Sequence, residues 1–197
     1  MSKETRLGDI SEVRLGAQHR DLSATITLPV KVISVGDLVP SGVNMSSQET
    51  LELLPARAKK YELVTDDVIV AVRGTIFKTA IFAARADSVF VLGPNLARVR
   101  LNDPNLALLV AAAIGSDQSS LSVKFQAKRS MKAGGFIGKE DIEDFLFRLP
   151  DVKALGELIT LLKGAQEESQ ILNSIISNRR KVIDDLVYRM LLKKASS

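Results

Sequence analysis

Residue types that carry catalysis are sparse in this chain. His19 is its single histidine, and cysteine is absent. A lone imidazole with no Ser or Cys elbow motif to serve reads as structural rather than catalytic. Without thiols the chain has no disulfide, zinc-finger, iron–sulfur or thiol-nucleophile chemistry, which accords with a reducing cytosol. Asp66 and Asp67 fall where a turn meets a strand and read as solvated turn carboxylates. Lys139–Asp144 (KEDIED) is acidic but lacks metal-ligand spacing, so a surface turn is expected there. Gly138-Lys139 could close a phosphate loop, but Ala133 stands where its leading Gly belongs and Glu140 where Ser or Thr would hold magnesium. No glycine-rich cofactor fingerprint follows a strand, and no methyltransferase or nuclease motif is present. The chain is therefore expected to hold no catalytic residue, metal or cofactor of its own.

Basic residues offer binding chemistry instead. Net charge is +4 and the sequence pI is about 9.4. Residues before Asp151 carry 19 basic and 17 acidic side chains. Neither part of the chain is a polycation, so any grip on a polyanion must come from local clusters. Arg57, Lys59 and Lys60 follow Pro55, and Arg73 and Lys78 flank Gly74. Lys124, Lys128, Arg129, Lys132 and Lys139 lie in an acid-free, Ser- and Gly-rich stretch from Gln118 to Lys139. A loop of this composition suits a phosphate backbone, with Lys and Arg for charge and Ser, Gln and backbone N–H groups for short hydrogen bonds. Gln118 and Gln126 have the geometry to read adenine edges, and Arg129 to read guanine bidentately. A solubilising surface loop is the alternative reading.

These residues need a scaffold, and the chain supplies two unlike parts. Apolar residues make up 46% of it, enough for a packed core, while aromatics are 5% and Trp is absent. The core should therefore be built from Val, Ile, Leu and Ala. No segment reaches about 18 uninterrupted apolar residues, so no membrane span is expected, and MSKETRLGDI lacks an apolar signal core. Over residues 1–150, short β-branched runs are broken by turn residues: PVKVISV, VIVAVRG, TIFKTAIFAA, SVFVL and the alternating LARVRL. In LARVRL, Leu96, Arg98 and Arg100 share one face and Ala97, Val99 and Leu101 the other. Pro104–Ile114 reads as a helix stopped by Gly115. Asp141–Phe147 reads as a last strand or a helical turn. The fold class is α+β, a twisted sheet with short helices.

From Asp151 the period changes. Leu155, Leu158, Leu162, Ala165, Ser169, Leu172, Ile176, Arg179, Ile183, Leu186 and Met190 follow one another at alternating steps of three and four, a heptad seam. Some forty helical residues would reach roughly 60 Å, longer than a small domain needs. Gly156 and Gly164 each cost about 1 kcal/mol against Ala and make the first third of that helix its weakest part. Residues 151–197 are expected to form a long helix that pairs with another through Leu162, Leu172, Ile176, Ile183 and Leu186. The alternative is a long helix packed along its own domain.

In this order the motifs resemble one half of the specificity subunit of type I restriction–modification systems: one target-recognition domain followed by its helical spacer. LGDISEVRLGA (7–17) is similar to the family's opening turn, and VISVGDLVPSGVN (32–44) to the strand and turn that follow. LVTDDVIVAVRGTIFKTAIF (63–82) is similar to the family's L-x-x-G-D-I-L-x-x-x-x-G-x-x-G-K segment, GPNLARVRLN (93–102) to the strand after it, and GGFIGKEDIEDFLFRLP (134–150) to the exit into the helix. Asp66 stands where the family usually has Gly, Phe77 where it often has a second Gly, and LPDVKALGEL replaces the usual P-P-L-x-E-Q. The resemblance implies a non-catalytic, cytoplasmic subunit that binds double-stranded DNA. It also implies a separate methyltransferase partner that uses S-adenosylmethionine, and a restriction nuclease subunit that can join. One half paired with itself through antiparallel helices gives a homodimer reading two identical half-sites. Two other readings stay open: a coiled-coil adaptor or decoy of the same fold that binds only protein, and an RNA-binding module. The low aromatic content speaks against the latter.

Overall fold

The computed structural model describes residues 3–17, 26–39, 42–46, 48–84, 88–129 and 136–189. In chain order the strands are β1 (Lys3–Arg6), β2 (Ser11–Leu15), β3 (Leu28–Ile33), β4 (Leu38–Val39), β5 (Gly42–Val43) and β6 (Glu49–Leu53). Helix α1 (Pro55–Tyr61) precedes β7 (Val68–Ala71), β8 (Thr79–Ile81), β9 (Val89–Leu92) and β10 (Leu96–Leu101). Then come α2 (Ala107–Gly115), α3 (Ser120–Arg129), α4 (Lys139–Glu143), β11 (Leu146–Leu149) and α5 (Val152–Val187). The fold is α+β with a long C-terminal helix.

Two sheets form the centre. One is antiparallel, in the order β2-β10-β7-β8; the other, β6-β3-β9, pairs β3 antiparallel to β6 and parallel to β9. Strand periodicity explains the layering. Val13, Val68, Val70, Val72, Ala97, Val99 and Leu101 face a core shared with Val110, Ile114, Leu121, Phe125 and Ile142 of the helices. The alternate residues Ile69, Ala71 and Leu96 face a second core with Ile33, Phe90 and Leu92 of the other sheet. Val30, Val32 and Val91 turn outward onto Ala58 of α1. The order is thus helices, sheet, sheet, α1. Every residue of β7 is buried because both its faces are covered, which is why VIVA reads as an unbroken apolar run.

β10 carries the expected alternation, with a consequence for its arginines. Arg98 is 2% exposed. Its Nη1 donates to the Glu62 carbonyl at 2.9 Å, and its Nη2 lies 3.2 Å from the Glu12 carboxylate. Arg100 donates through Nε and Nη2 to the two oxygens of Asp67, each at 2.7 Å, and through Nη2 to the same Glu62 carbonyl at 3.1 Å. Asp67 is therefore a buried carboxylate gripped bidentately, not a solvated turn residue; it also accepts the Val64 N–H at 2.8 Å. Its neighbour Asp66 sits at φ +70, the left-handed region that short polar side chains tolerate. Gly74, at φ +145, ends the same segment where only glycine is at ease.

The ends of β2, β3 and β9 converge so tightly that side chains are excluded. A Cβ on Gly16 would lie 1.8 Å from the Gly93 carbonyl oxygen, and one on Gly93 would lie 2.3 Å from that of Ile33. β1 pairs with β11, bringing the start of the chain to the foot of α5. Asp151 caps α5 by accepting the Ala154 N–H at 2.9 Å.

The structure changes two local expectations and refines two others. Residues 120–129 are a helix rather than a loop, because Leu121 and Phe125, four apart, enter the first core. In the run from Thr75 only Thr79–Ile81 is strand. KEDIED contains the one-turn helix α4, anchored by buried Ile142, with β11 after it. Helix α5 runs unbroken through Gly156 and Gly164, whose missing side chains would touch nothing within 4 Å.

Candidate nucleic-acid interface

The basic candidates fall into two groups on opposite layers. Arg57, Lys59 and Lys60 ride on α1, which opens with Pro55 at its first turn, where no N–H partner is required. Ala58 buries the inner side of that helix, leaving Arg57 half-buried and Lys59 and Lys60 exposed. The Lys60 ammonium stands 5.4 Å from the Tyr61 ring centroid.

The second group gathers around Phe136, on the helix side of the first sheet. Val72 directly follows β7, and its carbonyl accepts the Ile137 N–H at 3.0 Å and so fixes the chain just before α4. This places the exposed Arg73 guanidinium 5.7 Å from the centroid of the Phe136 ring, itself 46% exposed. Lys128, one turn beyond Lys124 on α3, donates to the Phe136 carbonyl at 3.2 Å. Arg73, Phe136, Lys124 and Lys128 therefore belong to one patch. Gln126 and Gln118 are exposed nearby in sequence. Lys78 is half-buried, and its ammonium donates to the Leu38 carbonyl at 3.1 Å, tying the β7–β8 turn to β4. His19, Lys132 and the Arg129 side chain lie outside the described residues.

Sequence reasoning missed what lies under this patch. Asp141 of α4 takes hydrogen bonds from Lys124, from Lys128 at 2.7 Å and from the Gly138 N–H at 2.9 Å. Burial alone would raise the Asp141 carboxyl, but these three donors outweigh it and hold its pKa at about 2. The acid-free stretch thus carries its counter-charge on the next element. The cue was the KEDIED cluster itself, acidic residues immediately after a basic stretch. Lys139 likewise pairs with Glu143 within α4 at 3.3 Å. On the other sheet face, burial lowers the Arg98 guanidinium and the charge of Arg100 adds to this; both β10 arginines are engaged within the fold, Arg98 by Glu62 and Glu12 and Arg100 by Asp67 and Glu62.

Helix α5 divides in two. Leu155, Ile159, Leu162, Gln166 and Ser169 are half-buried against the domain, and α5 packs on α2 there. Leu162 is thus partly consumed by its own domain. Beyond Ser169 every described residue of α5 is exposed, including Leu172 at 52%, Ile176 at 63%, Ile183 at 59% and Leu186 at 49%. Among the described residues no group of three His, Asp or Glu is placed to hold a metal. Among the described residues no single helix is long and apolar enough to cross a membrane.

No protein-family model matches the chain, and no curated protein matches it. Solved structures do. A chain from a type I R-M system, studied for complex assembly and conformational transition, matches with a TM-score of 0.60 at 15% identity over 94% of this chain and 43% of that one. The HsdS subunit from Thermoanaerobacter tengcongensis matches with a TM-score of 0.55 at 15% identity over 88% and 39%. The type I restriction-modification S subunit from M. genitalium matches with a TM-score of 0.53 at 11% identity over 92% and 44%. The fold is that of type I restriction–modification S subunits, and the chain spans about two fifths of the length of these relatives.

Proposed function

We propose that this chain is a sequence-specific double-stranded DNA-binding unit of a type I restriction–modification system. It directs a methyltransferase, and where present a nuclease subunit, to its target. One observation carries the reading: a two-sheet domain with an exposed basic patch is joined to a rod whose distal half packs on none of the described residues of the domain. An apolar helix face of that length requires a partner. The chain contributes no catalysis; S-adenosylmethionine belongs to the methyltransferase. A second copy on the rod makes a homodimer, and two-fold symmetry then gives two identical half-sites in an interrupted palindrome. The setting is the cytoplasm.

The test is DNA binding by the full chain, alone and with a cognate methyltransferase, across a salt series. If about six phosphates are neutralised, affinity falls with a log–log slope near −5. Salt-independent binding refutes the reading.

A specific observation supports a second function. Asp141 already neutralises part of the Lys124–Lys128 pair, as expected of an adaptor or decoy that engages only protein. Absence of DNA binding with the methyltransferase present, alongside capture of that subunit, selects the second function.

A further inference from the structure

We infer that α5 pairs antiparallel with α5 of a second copy in the one register that sets Ser169 against Arg179. This rests on the homodimer reading above and adds which residue meets which. The argument starts from the two faces of the helix. Leu155, Ile159, Leu162, Gln166 and Ser169 border the domain. Leu158, Leu161, Leu172, Ile175, Val182 and Leu186, 36% to 71% exposed, form an apolar stripe beside it, interrupted by Glu168 and Arg179. Distally, Ile176 and Ile183 broaden that stripe, so a partner helix lies along it and touches Leu162 and Ser169 at its edge.

In an antiparallel pair each layer sets one seam position against its counterpart on the other helix. The seam contains two polar residues, Ser169 and Arg179. When these face each other, Leu162 faces Leu186, Ala165 faces Ile183 and Leu172 faces Ile176; every apolar member meets an apolar one. The two-fold axis passes beside Ser174. A one-heptad slip in one direction sets Arg179 against Leu162 and Ser169 against Leu172. A slip in the other sets Arg179 against Ile176 and Ser169 against Leu186. By symmetry each slip makes four polar–apolar mismatches. A parallel in-register pair sets Arg179 against Arg179, placing like charges together at the seam. The arginine that weakens the seam locally is therefore what selects its register.

The chain has no native cysteine, so an introduced pair reports cleanly. Full-length Leu162→Cys mixed with Leu186→Cys is expected to form a heterologous disulfide, as is Ala165→Cys mixed with Ile183→Cys, whose sites are both exposed. No single variant cross-links to itself, because like positions lie about 36 Å apart along the rod for Leu162 and Leu186 and about 27 Å apart for Ala165 and Ile183. Leu162→Cys mixed with Arg179→Cys should give roughly tenfold less product. Arg179→Leu should keep the dimer and spread cross-linking over the slipped pairs. A dimer by light scattering that cross-links Leu162→Cys to itself, or to Arg179→Cys as readily as to Leu186→Cys, overturns the register. A monomer at every concentration overturns the homodimer reading itself.

Discussion

Replacing Asp141 by Asn separates two roles of one carboxylate. In the folded chain Asp141 lies between Lys124 and Lys128 and caps the Gly138 N–H, with its side chain 16% exposed. Removing its charge raises the net charge of this trio from +1 to +2 and frees two ammonium groups beside Arg73 and Phe136. If the patch faces a duplex, the log–log salt slope of DNA binding should steepen by about 0.9 for the net charge gained, and by about 1.8 if both lysines take a phosphate. Affinity at low salt should rise. Stability should move the other way. The carboxyl sits at about 2 against an ordinary value of 3.8, so its contribution is fully present above pH 3.8 and is lost as pH falls through about 2. The shift corresponds to roughly 2 kcal/mol, and the partly exposed lysines reduce this to about 1 kcal/mol. Fluorescence anisotropy over a salt series and urea melts at neutral and acid pH read both effects. A variant with unchanged salt slope and intact fold would show that α3 does not face DNA. An unchanged acid limb of the stability curve would refute the electrostatic account of Asp141.

Other substitutions test other joints. Asp67→Ala leaves the Val64 N–H without its acceptor and Arg100 with the Glu62 carbonyl in place of its carboxylate clamp. Because Arg100 is one-third exposed, a loss of about 2–3 kcal/mol is expected, at the lower end for broken buried pairs. A double-mutant cycle with Arg100→Met in urea melts should show coupling, and additivity would refute the clamp. Ile176→Asp should make the chain monomeric by light scattering and its melt independent of concentration, with the domain still folded since Ile176 touches no core; a persisting dimer would disprove the seam. Lys128→Glu with Arg129→Glu should weaken binding to all DNA sequences alike, and unchanged affinity would retire that surface.

Much of the scaffold was legible because burial and periodicity coincide. β7 is covered on both faces and its sequence is uniformly apolar; β10 is covered by unlike layers and its sequence alternates. The rod was legible because a three-four spacing over 36 residues has no other simple explanation. Contacts between distant elements were not. Nothing local to Asp67 announces Arg100, 33 residues away, and solvation was the natural reading of an Asp-Asp turn. In α3 the Ser and Gly content of the whole stretch masked the four-residue spacing of Leu121 and Phe125. Lys124 and Lys128 read as free cations because a basic run shows its charge, while its counter-ion is set by how α4 folds back. Edge elements such as β6 and α1 were missed for a related reason: each buries only one face, and Pro55 alone marks the helix start.

If the register of α5 is as inferred, the rod also fixes a distance. The domain grips α5 over a stripe centred on Leu162, and in the antiparallel pair that position faces Leu186 of the second copy. Two such stripes are therefore separated by 24 residues of helix, about 36 Å at 1.5 Å per residue. One turn of B-DNA spans roughly 34–36 Å, so two recognition domains held at this spacing meet the same face of a duplex. Half-sites with centres about 10 bp apart should bind best, and those moved by half a turn should lose most of the gain from the second copy. Competition among palindromes that differ only in spacer length measures this. A flat response would mean that the rod does not hold the two domains in fixed relation, even in a dimer that reads DNA.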